Sequence, residues 1–426
     1  MRLGLHGSLR DAAVDAGPPA SLWRHADFMW LWAAQTISLF GSQVTQLAIP
    51  LIAVTTLNAA PAQMGILSAV STAPFLLIGL LAGAWVDRWR RRPVLIAGDI
   101  GRALVLVALP VAMHRDVLSL PVLYAGALAI GVLTVFFDVA WQAYLPSLVG
   151  RRRLLEGNSK LEASRSTAQI AGPGFAGAVI QALTAPTAVL VNAASFALSA
   201  VCIWFIRKPE PAPQAAPVSL LDDVREGLAV VFGNPVLRGI AGCTGTSNFF
   251  SAALWAVLIL FATRELKLPP VAIGLVFTAG NIGALVGVLL AGPAARRIGL
   301  GPVLVAAPLL SSLGLWPVAL ATPAVAVPML IAGQALMTIG GPIYNINQVS
   351  LRQAITPLRL QGRMNATMRF LVWGTMPIGG LLGGALGQAF GLRTAIVVIA
   401  IGGMTAFLWV WRSPVRTLVR FPEPVE

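Results

Sequence analysis

Long apolar runs separated by short polar hinges recur along the whole chain. They read at 28–56, 63–86, 93–113, 119–146, 160–183 and 186–206. After a longer connection they resume at 236–263, 270–295, 300–321, 324–348, 362–389 and 392–412. A helix needs about 20 apolar residues to cross a bilayer core, so the pattern predicts an all-α membrane protein with twelve transmembrane helices in two six-helix bundles. Some hinges are tiny, such as Asn58 to Pro61 and Thr184 to Pro186. Others are basic, such as Arg151-Arg152-Arg153 and the stretch from Gly83 to Pro93. Residues 207–234 form the only long internal connection. Lys208-Pro209-Glu210-Pro211-Ala212-Pro213 reads as an extended linker. Leu220, Val224, Leu228, Val230 and Val231 then fall at helical spacing around Asp222, Asp223, Arg225 and Glu226. That spacing predicts an amphipathic helix at the inner membrane interface, tethering the two halves. The expected organisation is a tail at 1–26, a first bundle at 27–206, a linker at 207–234, a second bundle at 235–412 and a tail at 413–426.

Composition agrees with the pattern. The chain of 426 residues is 57% hydrophobic and 11% charged, with mean hydropathy +0.80, where soluble proteins carry about 25% charged residues. The net charge of +14 would suit a nucleic-acid partner, but its distribution excludes that. The spans put nearly all Lys and Arg in tails and loops of one face. Only Arg115, Arg264, Lys267 and Arg393 fall on the other face, and Arg102 alone is read inside a span. This is the positive-inside asymmetry of a membrane protein with both termini cytoplasmic. The first 26 residues lack an apolar core and read as a cytoplasmic tail, not a cleaved signal peptide. The excess of Arg, Ala and Gly points to a high-GC bacterium, and the expected location is its inner (cytoplasmic) membrane. Cys202 and Cys243 both sit in apolar spans, so no disulfide or metal site is expected.

The two halves echo each other. Gly83, Arg88 and Pro93-Val94-Leu95 recur 209 residues later as Gly292, Arg297 and Pro302-Val303-Leu304. Gln142-Ala143-Tyr144-Leu145-Pro146 is echoed by Gln353-Ala354-Ile355-Thr356-Pro357. Duplicated bundles of this kind are a transporter architecture. Gly172-Pro173-Gly174-Phe175-Ala176-Gly177 matches a dinucleotide-binding string, but it lies inside an apolar span without the preceding strand such a site needs. No phosphate-binding loop of the ATPase type occurs. The three histidines, His6, His25 and His114, lie in tails or loops and support no catalytic set. No cofactor is expected.

The order Gly83-x-x-x-Asp87-Arg88-x-x-Arg91-Arg92 between the second and third spans resembles the signature loop of the major facilitator superfamily of transporters, with Arg90 standing where a small residue is usual. Phe28-x-x-Leu31-Trp32-x-x-Gln35, Phe137-Asp138-Val139-Ala140, Asn158-x-Lys160-Leu161, Arg352-Gln353-x-x-x-Pro357 and Gly362-Arg363-x-Asn365 resemble its bacterial exporters of macrolides and enterobactin. The resemblance implies that Gly83, Asp87, Arg88 and Arg92 form a conformational latch. Gly172, Pro173 and Gly177 of the fifth span resemble a hinge element of drug–proton antiporters, and Pro377 and Gly380 sit in the matching eleventh span. Asn345 and Asn347 belong to the tenth span, which lines the cavity in the family. Asn248 and the aromatic residues Phe137, Trp141, Trp255 and Tyr344 are further candidates for cavity walls. The Arg that many such antiporters carry in the fourth helix has no counterpart here. Asp99, Arg102 and Asp138 are the charges read at membrane depth, where ionisable groups are costly and face protein or a water path. Sequential helices are often neighbours, so Arg102 is expected to reach Asp138 as well as Asp99, making these three the proton-coupling candidates, with a static buried salt bridge as the rival reading. The function expected is proton-coupled export of a partly apolar drug or natural product by a monomer. Export of a siderophore or metabolite and uptake of a nutrient are the nearest alternatives, and a membrane enzyme or signalling protein is the alternative of another class.

Overall fold

The computed structural model describes residues 21–86, 88–150, 153–210, 220–420 and 422. Asp87, Arg151, Arg152 and linker residues 211–219 lie outside them. The first half contains α1 (Ala26–Leu51), α2 (Pro61–Leu77), α3 (Gly79–Val86), α4 (Arg91–His114), α5 (Leu120–Val149), α6 (Leu154–Leu183) and α7 (Ala185–Trp204). Then come α8 (Leu220–Gly233), α9 (Pro235–Arg264), α10 (Pro270–Ile298), α11 (Leu300–Leu313), α12 (Leu315–Leu320), α13 (Ala326–Ala354), α14 (Leu358–Trp373), α15 (Thr375–Phe390), α16 (Leu392–Gly403) and α17 (Phe407–Trp411).

Apart from α8, these segments make up twelve spans, because several spans are broken. Proline supplies no N–H and clashes with the preceding turn, and breaks fall where that predicts. Pro317 and Pro377 stand three residues past the breaks at Gly314 and Gly374, which separate α11 from α12 and α14 from α15. Pro74 precedes the break at Ile78 between α2 and α3. Pro50 precedes a wide-turned segment, Ile52–Thr56, that extends α1. Ten described segments are long and apolar enough to cross a membrane, and α2 adds a shorter apolar helix. α6 is 30 residues long, but its first turns are polar.

We call the end of the molecule that carries the first and last described residues the near face, and the opposite end the far face. Three apolar cores show how the halves meet. One large core runs through both halves toward the far face, joining Val44, Leu47 and Met64 to Val257, Phe261, Ile273 and Ile396. Toward the near face the halves have separate cores. One holds Phe28, Leu95, Tyr144, Leu148 and Ile203, and the other Ile240, Leu304, Leu351, Met364 and Val410. The bundles are therefore welded at the far face and packed independently at the near face.

The amphipathic segment forms α8, but it packs on protein. Glu226 pairs with Arg363 of α14, Gly227 lies against Thr367, and Val231 is fully buried in the core of the second half.

Candidate functional site

Charged side chains lie at one depth in four of the spans. Arg102 is eleven residues from the start of α4, Asp138 eleven from the end of α5, Arg165 eleven from the start of α6, and Arg369 eleven from the start of α14. At 1.5 Å per residue, each sits about 16 Å from the near face. The reading that placed Arg102 alone among the basic residues inside a span is thus corrected. Arg165 and Arg369 were missed because the apolar average of their spans hides a polar stripe. Position supplies the missing signal. On α6, Glu162, Arg165 and Gln169 stand at i, i+3 and i+7, on one face, and all three are exposed. An exposed charge at this depth belongs against water between the halves, not against lipid.

Arg102 itself is closed off. It is 4% exposed and Asp99 0%. Arg102 Nη2 lies 2.5 Å from Asp99 Oδ1, and the Ser199 hydroxyl of α7 donates to Asp99 Oδ2 at 2.6 Å. Arg102 Nε donates to the Gly98 carbonyl at 3.3 Å. The guanidinium is sandwiched between the Phe137 and Phe196 rings, each 4.1 Å away. The expectation that Arg102 serves both acids is corrected. Among the described residues no ion pair joins Arg102 to Asp138. The reason is helical geometry. Phe137 turns its ring to Arg102, so the next residue points about 100° away. Asp138 is half-buried. It lies within the electrostatic influence of Arg102 and Arg165, and among the described residues it forms a salt bridge with neither. Phe137 is accordingly core, 2% exposed, and not a cavity wall.

The other cavity candidates divide. Asn345 is exposed and accepts from Gln348 Nε2 at 3.0 Å. Asn347 is 2% exposed, and its amide is spent on the Ala291 and Ile343 carbonyls. Tyr344 is buried against Thr244 and Ile240. Asn248 donates to the Val372 carbonyl at 2.9 Å. Trp255 stacks on Phe277 within the second half. Trp141 is half-buried on α5.

At the near face, Arg92 donates to the carbonyls of Ile203 and Trp204, binding α4 to α7 within the same half. Glu210, legible in the sequence only as part of the linker, accepts from the backbone N–H of Arg91 at 2.7 Å and of Arg92 at 3.2 Å. It caps α4, whose exposed N–H groups attract an anion. Arg88 is exposed, and a Cβ at Gly83 would meet nothing within 4 Å.

At the far face, glycines let the halves touch. A Cβ on Gly177 of α6 would fall 2.7 Å from the Pro270 carbonyl of α10, and Gly274 of α10 backs onto the Pro173 carbonyl. A Cβ on Gly65 of α2 would fall 2.9 Å from Gly384 Cα of α15. Gly380 meets Ser68 at the same crossing, while Gly172 packs on Gln43 inside the first half. Arg264 of α9 donates to the Ala59 carbonyl at 3.0 Å, closing the seam with a charged bond. Among the described residues no cluster of side chains suits a metal ion.

The chain matches, over residues 18–420, the major facilitator family described as transmembrane secretion effector. The multidrug efflux pump Tap of Mycolicibacterium fortuitum is 29% identical over 387 residues, covering 87% of this chain and 91% of that protein. Tap of Mycobacterium tuberculosis is 28% identical over 354 residues, covering 80% and 82%. Among solved structures, a bacterial homologue of the iron transporter ferroportin in an inward-facing state superposes with TM-score 0.76 at 16% identity, covering 92% of this chain and 99% of that one. A bacterial homologue of the lysosomal transporter Spinster gives TM-score 0.72 at 13% identity, covering 92% and 97%.

Proposed function

Because this chain belongs to the major facilitator family of transmembrane secretion effectors, we propose that it exports a partly apolar small molecule by alternating access, driven by proton influx. It is a multi-pass membrane transporter and not an enzyme. The observation that carries the mechanism is the contrast between one shared core at the far face and two separate cores at the near face. Rocking the bundles 27–206 and 235–412 about that weld would open one face as it closes the other. The near face carries the excess of Arg and takes the cytoplasmic side, with both termini, by the positive-inside rule. In this state a monomer would load from the cytoplasm.

Asp138 is the coupling group in this proposal. Asp99 is saturated by Arg102 and Ser199, so losing its charge would strand a buried guanidinium. Asp138 has no hydrogen bond among the described residues, is half-buried, and stands beside the exposed Arg165. It can gain and lose a proton without dismantling the core. Efflux names among the relatives support the direction.

The test is transport in proteoliposomes with an imposed pH gradient, using ethidium as a fluorescent probe. Wild-type protein is expected to move the probe against its gradient, and a protonophore to stop it. Asp138→Asn should leave thermal stability unchanged and abolish gradient-driven movement while keeping downhill exchange. Full proton-driven export by a stable Asp138→Asn protein refutes the assignment.

A further inference from the structure

A proline inside a helix leaves the carbonyl four residues earlier without its donor. In α6 that proline is Pro173 and the carbonyl is that of Gln169, yet the helix runs unbroken from Leu154 to Leu183. A donor comes from the other half. Asn281 of α10 gives its side-chain N–H to the Gln169 carbonyl at 2.7 Å. Its own amide oxygen accepts from Gln334 Nε2 of α13 at 3.3 Å, and Gln334 is buried. A donor held on the oxygen fixes which end of the Asn281 amide points at α6. About one turn closer to the far face, Thr278 Oγ1 of α10 accepts from the Gly174 N–H at 2.8 Å.

The height of this bond is as telling as its partners. Gln169 is fifteen residues from one end of α6 and fourteen from the other, so it lies at mid-height. The close contacts of Gly177 with the Pro270 carbonyl and of Gly274 with the Pro173 carbonyl lie nearer the far face. Points at mid-height are displaced least when two bundles rock against each other. A carbonyl freed by proline at membrane depth is answered by a neighbouring helix or by water, and here a helix of the opposite half does it. At the other crossing of the halves, α15 meets the same problem at Pro377 differently, with a break at Gly374.

We propose that Asn281, aimed by Gln334, is a positioning residue of the transport cycle: it holds the carbonyl opened by Pro173 and so fixes the point on which α6 and α10 pivot. Pro173 and Asn281 are then one device divided between the halves. This rests on the reading of the chain as a rocking-bundle exporter and adds its pivot. The bond persists while the glycine contacts above it part and the near-face ends of α6 and α10 approach. The Asn281 amide is spent on Gln169 and Gln334, so it governs the rate of the conformational step and leaves substrate affinity alone.

The full chain is placed in phosphatidylcholine nanodiscs, and melting temperatures are compared for the wild type, Asn281→Leu, Pro173→Ala and the double variant. Alanine at position 173 supplies an N–H to the Gln169 carbonyl within α6. Asn281→Leu should therefore lower the melting temperature clearly beside proline and little beside alanine. A role in packing alone would cost the same in both backgrounds, and equal costs overturn the proposal. If Asn281→Leu does not fold, recovery of folded protein on adding Pro173→Ala supports the device, and no recovery overturns it. Gln334→Met, which removes the donor that aims Asn281, should show the same dependence on Pro173 with a smaller effect. In proteoliposomes with a pH gradient, Asn281→Leu should lower the maximal rate of ethidium export about fivefold, the worth of one net hydrogen bond, with KM unchanged. Spin labels at the exposed Leu155 and Ile298, at the near-face ends of α6 and α10, should give a broader distance distribution than in the wild type. A stable Asn281→Leu protein with wild-type rate and distances also overturns the pivot. Melting and distance measurements need no substrate. Coupling of Pro173 to Asn281 in a protein that does not pump therefore removes the exporter alone, and pumping without that coupling removes the pivot alone.

Discussion

At the scale of single residues, charges of similar depth have unlike fates. Asp99 and Arg102 share a helix face three residues apart and form a pair sealed by two phenylalanine rings and a serine. Breaking a buried pair by removing one partner costs about 3–5 kcal/mol, because the other charge stays behind. Asp99→Asn should therefore lower the melting temperature and the yield of folded protein in detergent, and Asp99→Leu with Arg102→Leu should restore much of both. A double variant as unstable as the single one would show that the cost lies elsewhere than in the stranded charge. Asp138, one residue past the ring that covers Arg102, escapes this burial. The i, i+3 spacing of Asp99 and Arg102 was legible in the sequence. Which acid took the guanidinium was not, since that depends on the rotation of α5 about its axis.

At the scale of elements, prolines and glycines explain the irregularities of an otherwise helical chain. The breaks near Pro74, Pro317 and Pro377 follow from a missing donor, and all three prolines were visible in the sequence. What the glycines do was only half visible. Gly172 and Gly177 belong to one motif, yet the first packs on α1 in its own half and the second on α10 in the other. Gly177→Leu should therefore act on the closed far face rather than on the fold. We expect normal expression, transport reduced by tenfold or more, and longer distances between spin labels placed across the far-face ends of α6 and α10. Wild-type distances with wild-type transport would mean that the crossing tolerates bulk. The α8 helix shows the same limit. Its amphipathic spacing was readable, but its apolar side rests on the second half through Val231.

At the scale of the whole molecule, the working state is set by where the halves adhere. The far-face core spans both bundles, and Arg264 adds a bond from α9 to the carbonyl of Ala59. A net hydrogen bond contributes about 1 kcal/mol, enough to change a two-state ratio about fivefold. Arg264→Ala should then shift the population toward the far-face-open form by that factor, read by single-molecule distance measurements across the far face, with little change in melting temperature. An unchanged population would assign the closure to the apolar core alone.

The sequence by itself determined that the chain crosses a membrane twelve times in two related bundles, because apolar run length and the side on which Arg accumulates are local properties of the chain. It also carried the family, through short ordered motifs at the hinges. Only the tertiary structure decided which polar groups meet. Arg102 closes on Asp99 and leaves Asp138 apart, and Asn347 is consumed inside the core. Each outcome turns on helix rotation and on the approach of helices distant in sequence. A shift of one residue turns a side chain by about 100°, so neighbours as close as Phe137 and Asp138 end in different surroundings.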